Sequence, residues 1–455
     1  MTFWYMIVAG KITHSLTHSL THSKENVVSE KSLPRKALAL AVASVLVAGF
    51  ATAQSLTTAS KLPGKVHLLP ATLETTQWGW FDNSQAPVLT IDSGDTVIME
   101  TMMHSHNQVV PGKTIEDIKK LRTDHPGRGP HTLTGPIYVN GAEPGDVLKV
   151  KLNRIVPRAY GVNFNVPGMF GQFPKDFQDG QVKFLYLDLV RNVAEFLPGV
   201  EVPLRPFPGT LGVARAAPGR YSSVPPGEFA GNMDIRDFVE GTTLFVPVHV
   251  KGALLWSGDS HAAQGNGEVN LTAIETAFKE LNVTVEVIKG KKQDMPRIET
   301  PTHWITMGFD ADLNKAWDGA KSQTLGYLGE QRGISGKAAE DAMAKVSDCR
   351  VSQVVNIKKG IHCLNPKDTS AVNTEARPTA ETADMFVSAS TNADLNKAMD
   401  AASMGMINLL QEKKKLTRLD AYGLASAAMD CRVGEVTAAA KSIHCVMPKS
   451  MWVGK

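Results

Sequence analysis

The chain lacks most of the features that would place it quickly. Aromatic residues make up only 7% of its 455 positions, and Lys plus Arg exceed Asp plus Glu by three, 48 against 45. No basic cluster and no base-stacking motif occurs, which excludes the footprint of a nucleic-acid binder. The longest apolar run, at 37–50, is well short of the ~20 residues that a membrane-spanning helix requires. Between 54 and 300 there is neither a cysteine nor a Gly-x-Ser-x-Gly elbow, so no thiol or serine nucleophile is on offer there.

That short apolar run has another meaning. It follows the basic residues Lys31, Arg35 and Lys36 and ends at Ala51-Thr52-Ala53, a small-x-small pattern. This is the grammar of a secretory signal peptide. It predicts an exported chain, periplasmic or secreted, that is free of the membrane after cleavage. Upstream, Thr13-His14-Ser15-Leu16 recurs as Thr17-His18-Ser19-Leu20, in sequence that cleavage would discard. Residues 1–53 are therefore set apart as signal peptide and upstream extension.

From about 65 to 290, short apolar or alternating runs are punctuated by Gly, Pro, Asp and Asn. Val88-Leu89-Thr90-Ile91 and Val147-Leu148-Lys149-Val150 are examples, with Ser93-Gly94-Asp95 and Asn140-Gly141 as turn signals. Such punctuation predicts a β-sandwich or barrel over 54–300, with one helix at 116–122. After 300 the grammar changes. Asp312-Leu313-Asn314-Lys315-Ala316 recurs as Asp394-Leu395-Asn396-Lys397-Ala398, and Asp348-Cys349-Arg350-Val351 recurs as Asp430-Cys431-Arg432-Val433. Residues 301–455 read as a duplicated, helix-rich α/β region, with copies at about 307–367 and 389–449 and a linker at 365–386. Helices are expected at 338–346 and 420–429.

The four cysteines, Cys349, Cys363, Cys431 and Cys445, fall in the repeat at identical spacing. Two readings stand: a zinc site built with His362 and His444, or one disulfide in each copy, Cys349–Cys363 and Cys431–Cys445. Export favours the disulfides.

The residues fit for chemistry lie in the β region. Gly258-Asp259-Ser260-His261-Ala262-Ala263-Gln264-Gly265-Asn266-Gly267-Glu268 sets ionisable groups in a glycine-rich stretch between apolar runs. It reads as a tight turn between buried strands, where polar groups are costly unless bound. His131, Glu143 and Asp234 stand in similar glycine-rich contexts. A His with carboxylates and an open position suits a divalent metal, typically zinc. His131, Asp259 and His261 are candidate ligands, with Glu143, Asp234 or Glu268 as further ligand or base. His104 and His106 could chelate from one strand face, but a solvated edge is the reading preferred here. Asp95 and Asp146 read as turn formers.

At these residues the chain resembles the acetamidase/formamidase family. The match rests on Gly258 to Glu268, with His131-Thr132-Leu133-Thr134-Gly135-Pro136, Gly141-Ala142-Glu143-Pro144-Gly145-Asp146 and Gly231-Asn232-Met233-Asp234 in support. The resemblance implies a jelly-roll-like β-sandwich with α/β additions. It also implies hydrolysis of small linear amides, or of cyclic lactams, to carboxylate and ammonia, with zinc or calcium bound. It supports Asp259, His261, Gln264 and Glu268 as site residues, and His131, Glu143 and Asp234 with them. Glu143 or Glu268 would then be the base, Asn232 or Gln264 would hold the oxyanion, and Asp234 would complete the metal set. Asn266 departs from the family's Asp, which leaves a degenerate small-molecule or metal-binding protein as the competing reading. The duplicated tail would recognise a partner or complete a homo-oligomer.

Overall fold

The structure is a computed structural model and describes residues 64–373, 377–437 and 439–454. The signal peptide and the His-rich stretch read at 1–53 lie outside the described residues. None of the described helices is long and apolar enough to cross a membrane.

The chain is mainly β with a few helices. In chain order, the elements that matter for the site are α1 (Ile115–Thr123), β1 (Thr132–Val139), β2 (Tyr160–Phe164), β3 (Phe207–Val213), β4 (Ala230–Asn232), β5 (Leu255–Ala263) and β6 (Ile274–Thr276). The C-terminal third follows as β7 (His303–Asp310), α2 (Leu313–Arg332), α3 (Gly336–Val346), β8 (Asp348–Gln353) and β9 (Lys359–Pro366). It continues through β10 (Met385–Asn392), α4 (Leu395–Lys414), α5 (Arg418–Ala428), β11 (Asp430–Val436) and β12 (Lys441–Pro448). The helices expected at 116–122, 338–346 and 420–429 are α1, α3 and α5. Each copy of the sequence repeat runs strand–helix–helix–strand–strand, two strands more than a helix–helix–strand unit: a hairpin stands where one strand was expected, and a further strand precedes the helices. Pairing explains it: the apolar segments β7 and β10 ahead of the long helices join the same sheet.

Among the described residues, β1 to β6 belong to an eleven-stranded sheet, while β7 to β12 extend a twelve-stranded sheet that begins in the N-terminal half. Leu133, Leu211 and Leu255 of the first sheet share a core with Leu148, Val150 and Val283 of the second. The sheets therefore pack face to face, which excludes water from the strand faces between them. The change of grammar at 300 falls between Arg297–Glu299 and β7, which pair with each other, so the sheet crosses it unbroken. Residues 62–455 cluster as one compact unit.

Cys349 lies opposite Cys363 on β8 and β9, and Cys431 lies opposite Cys445 on β11 and β12. Both pairs are disulfides. This corrects the zinc reading, because the four sulfurs are spent. His362 instead bonds Ser352 Oγ at 2.8 Å and Asp237 at 3.2 Å.

The repeated Asp-Leu-Asn-Lys segments explain themselves at the helix starts. Asp312 caps α2 and Asp394 caps α4, each side chain accepting from the backbone N–H of the asparagine two residues on. Asn314 Nδ2 also donates to Asp394 at 2.8 Å, and Asn396 Nδ2 donates to Asp312 at 2.7 Å. Asn396 Oδ1 accepts from Leu313 N and Asn314 Oδ1 from Leu395 N. Orphan amides at each helix start are thus satisfied by the other copy.

Candidate active site

The first half of the glycine-rich stretch, through Ala263, is a strand rather than the expected turn, because the glycines serve close approach. A Cβ on Gly258 would stand 2.1 Å from the Thr132 carbonyl oxygen, so β5 and β1 could not pair with a side chain there. Gly265 likewise abuts the Met429 and Ala425 carbonyls at the end of α5. Asp259 and His261, two apart on β5, both face a buried cluster.

Three groupings of ligand atoms converge: His104, His131 and Asp259; Asp259, His261 and Glu275; and Asp234, His261 and Glu268. Asp259 is the hub. Its Oδ1 lies 2.9 Å from His104 Nε2 and 3.3 Å from His261 Nε2, while its Oδ2 lies 3.6 Å from His131 Nε2. Glu275 Oε2 lies 3.1 Å from His261 and 3.4 Å from His104. Asn356, from the loop between β8 and β9, donates to Asp234. The backbone is unusual here too. Asp234, Asp259 and Glu268 have φ of 49°, 51° and 48°. Such left-handed non-glycine residues cost about 1–3 kcal/mol each and persist where surroundings over-determine them.

Gln264 fixes the orientation of His261. Its amide nitrogen donates to the carbonyls of Asp234 and Ser352 at 3.1 and 3.2 Å. Its Oε1 must then be the acceptor at His261 Nδ1, 2.8 Å away, so Nδ1 carries the hydrogen. Nε2 therefore turns a lone pair towards the carboxylate oxygens of Asp259 and Glu275. Acceptor faces acceptor, which requires a positive charge between them: a second proton on the ring or a cation. Gln264 is thus a positioning residue, not the oxyanion donor expected. Gln264→Ala is expected to lower kcat/KM about 10–100-fold, as loss of an orienting partner does. Steady-state kinetics check this, and an unchanged rate would contradict the assignment.

The ionisation of the cluster follows from its geometry. Burial opposes charge on His104 and His261, but the Glu275 and Asp259 carboxylates outweigh it. His104 is raised to about 9 and His261 well above its usual range. Burial dominates at His131 and lowers it to about 4. Burial would raise Asp259, yet the surrounding imidazoles hold it well below the carboxylate range. Burial and the neighbouring carboxylates raise Asp234 and Glu268.

The cluster sits in a cavity of about 380 Å³ lined also by Asn232, Arg122, Phe164, Leu271 and Asn356. Asn232 Nδ2 donates to the Val224 carbonyl at 2.9 Å, and its Oδ1 accepts from Thr210.

The structure brings together His131, Asp234, Asp259, His261 and Glu268, with Gln264 and Asn232 around them. It does not bring Glu143. That residue is exposed in the turn before Val147–Pro157, where its backbone N–H donates to Asp146, and it lines no part of the cavity. Asp146 and Asp95 are turn formers, each accepting backbone N–H groups. Asn266 also points away from the cavity, and its Nδ2 donates to Asp430 at 2.5 Å.

Sequence reasoning missed four contributors. His104 is buried, not a solvated edge, because Ser105, His106 and Asn107 form a left-handed turn (φ 55°, 52° and 60°) in place of the strand. Glu275 left a signal, a lone carboxylate inside the apolar run Ala273-Ile274-Glu275-Thr276-Ala277-Phe278. Gly209 left none. A Cβ there would stand 2.6 Å from Asp234 Oδ1 and His261 Cε1, and 2.8 Å from Asp259 Oδ2. Asn356, a long way off in sequence, left none either.

Residues 74–220 and 214–452 match the profile of the Acetamidase/Formamidase family. An acetamidase of Mycolicibacterium smegmatis is 31% identical over 268 residues, covering 43% of this chain and 66% of that protein. The match thus spans just under two thirds of that relative's length. The crystal structure of an acetamidase from Bacillus halodurans superposes with a TM-score of 0.60 at 27% identity, covering 66% of this chain and 97% of the other. A gamma lactamase from Delftia acidovorans shares the fold at a TM-score of 0.59 and 19% identity, covering 85% of this chain.

Proposed function

The chain belongs to the acetamidase/formamidase family, and from that premise we propose that it hydrolyses the C–N bond of small amides, such as formamide or acetamide, to a carboxylate and ammonia. The observation that carries this reading is His261 Nε2 held 3.3 and 3.1 Å from the Asp259 and Glu275 carboxylates at the wall of a cavity. Around it, Asp234 Oδ1, Glu268 Oε2 and Glu275 Oε2 are buried without hydrogen-bond partners.

These residues fit a divalent cation. The orphaned atoms are acceptors, and Gly209 keeps open the space that a methyl group would fill. His104, His131, Asp259, His261 and Glu275 would hold the ion, with Asp234 and Glu268 beside them. The share of imidazole nitrogen favours zinc over calcium, which takes oxygen ligands. Such an ion, when bound, lowers the pKa of a water and polarises a carbonyl. Glu268, with an unpaired oxygen at the cavity wall, is placed to carry the proton between water and the departing amine. Asn232 lines the cavity and, with one amide hydrogen left over from its bond to Val224, would steady the carbonyl oxygen.

The same proposal includes export of the mature chain, supported by two disulfides that suit an oxidising compartment. It also includes self-association into a homo-oligomer, which light scattering would read. Metal-replete protein is expected to release ammonia from formamide or acetamide. A chelator should abolish the release and added zinc should restore it. No turnover over a broad amide panel by metal-replete protein would sink the reading.

A further inference from the structure

The cavity is larger and differently charged than formamide or acetamide requires. Those molecules have only a few non-hydrogen atoms, whereas about 380 Å³ falls in the range of pockets for considerably larger ligands. Away from the carboxylate–histidine cluster its wall is apolar, built from Phe164, Phe170, Leu271, Val355 and Ile357.

Set into this wall is Arg122, at the last turn of α1. Its Nη1 is buried without a hydrogen-bond partner, and its Nη2 makes one long contact of 3.5 Å with Ser105 Oγ. No carboxylate pairs with it among the described residues. Buried cations are normally paired. Arg350, buried elsewhere in this chain, and the half-buried Arg432 each hold a carboxylate within 2.8 Å. A second cation, Arg128, lines the same cavity with its guanidinium 4.7 Å from the Trp78 ring centroid. A guanidinium that faces a ligand cavity and lacks a protein anion is short of an anion that the ligand can supply.

We propose that the preferred substrate is an amide that carries a carboxylate on a short apolar body, such as the monoamide of a dicarboxylic acid. The carboxylate would meet Arg122, the methylene body would lie on Phe164 and Leu271, and the amide would reach His131 and Asp259. Water and the amide give the dicarboxylate and ammonium. This rests on the amide-hydrolase reading above.

The test compares glutaramate, hexanamide and acetamide as substrates of metal-replete protein, with glutarate binding measured separately by calorimetry. Glutaramate is expected to exceed hexanamide in kcat/KM by tenfold or more. Arg122→Met should lower that ratio about 10–100-fold, mainly through KM, and weaken glutarate binding by a similar factor. Arg122→Lys, which keeps the charge, should recover part of both, and a matching thermal melt excludes a folding defect. Equal rates on the acidic and neutral amides, or an unchanged ratio in Arg122→Met, would overturn the proposal. So would an equal fall in kcat on all three amides, since Arg122 would then act on the reacting atoms. If no amide is turned over, amide hydrolysis itself falls. Glutarate binding that depends on Arg122 would still identify the anion site.

Discussion

Asp259→Asn is expected to lower kcat/KM for amide hydrolysis by about three orders of magnitude or more, with little change in thermal stability. Asp259 lies against His104, His131 and His261, so its carboxylate is shared by all three imidazoles. It also accepts from Thr210 at 3.1 Å, a bond that an amide oxygen would keep. Its φ of 51° is one that Asn tolerates as readily as Asp, whereas Ala would add strain. The substitution therefore removes one negative charge and leaves the backbone at ease. Elemental analysis of the purified variant should show reduced zinc. Full activity with wild-type metal content would remove Asp259 from the centre of the site.

The second large effect concerns Asn266, the residue that departs from the family's pattern. Its side chain faces Asp430 at 2.5 Å, and Arg236 and Arg432 hold the same carboxylate from other sides. Asn266→Asp would bury a second carboxylate against the first. Two such groups in contact do not both ionise, and the new one is expected to rise by about two to three pKa units. The sign follows directly. A carboxyl whose folded pKa lies above its unfolded value of about 3.9 costs nothing while both states are protonated. The penalty grows as pH rises through the window between the two values, and it reaches about 3–4 kcal/mol near neutral pH. Melting temperatures of variant and parent should coincide at acidic pH and separate by pH 8. A variant as stable as its parent at pH 8 would refute this. The Asn thus belongs to an interface with the C-terminal third, and the doubt it raised about catalysis does not attach to the site.

How much of this was legible without coordinates differs residue by residue. His131, Asp234, Asp259, His261 and Glu268 stood out because ionisable side chains in glycine-rich, apolar surroundings are costly. Glu143 shared that look, yet its glycines belong to a plain exposed turn. Gly258 and Gly265 misled in the other direction. Their lack of a side chain serves contact with a neighbouring strand and a helix end, and local sequence does not distinguish that from bending. Gly209 and Asn356 act on the site only through tertiary packing, which no periodicity encodes. The β-rich half, the change of grammar near 300, and the helices were readable from punctuation and spacing. The continuation of the twelve-stranded sheet across that boundary was not.

The crossed caps at Asp312, Asn314, Asp394 and Asn396 carry a consequence for how the tail comes apart. Each long helix borrows part of its first turn from the other, so the start of one cannot fray without exposing amides at the start of its counterpart. The pair behaves as a dimer whose subunits share one backbone, held at an effective concentration that no dilution can lower. Because the loop that follows β8 supplies Val355, Asn356 and Ile357 to the cavity wall, that side of the site is tied to a handshake between two helix ends.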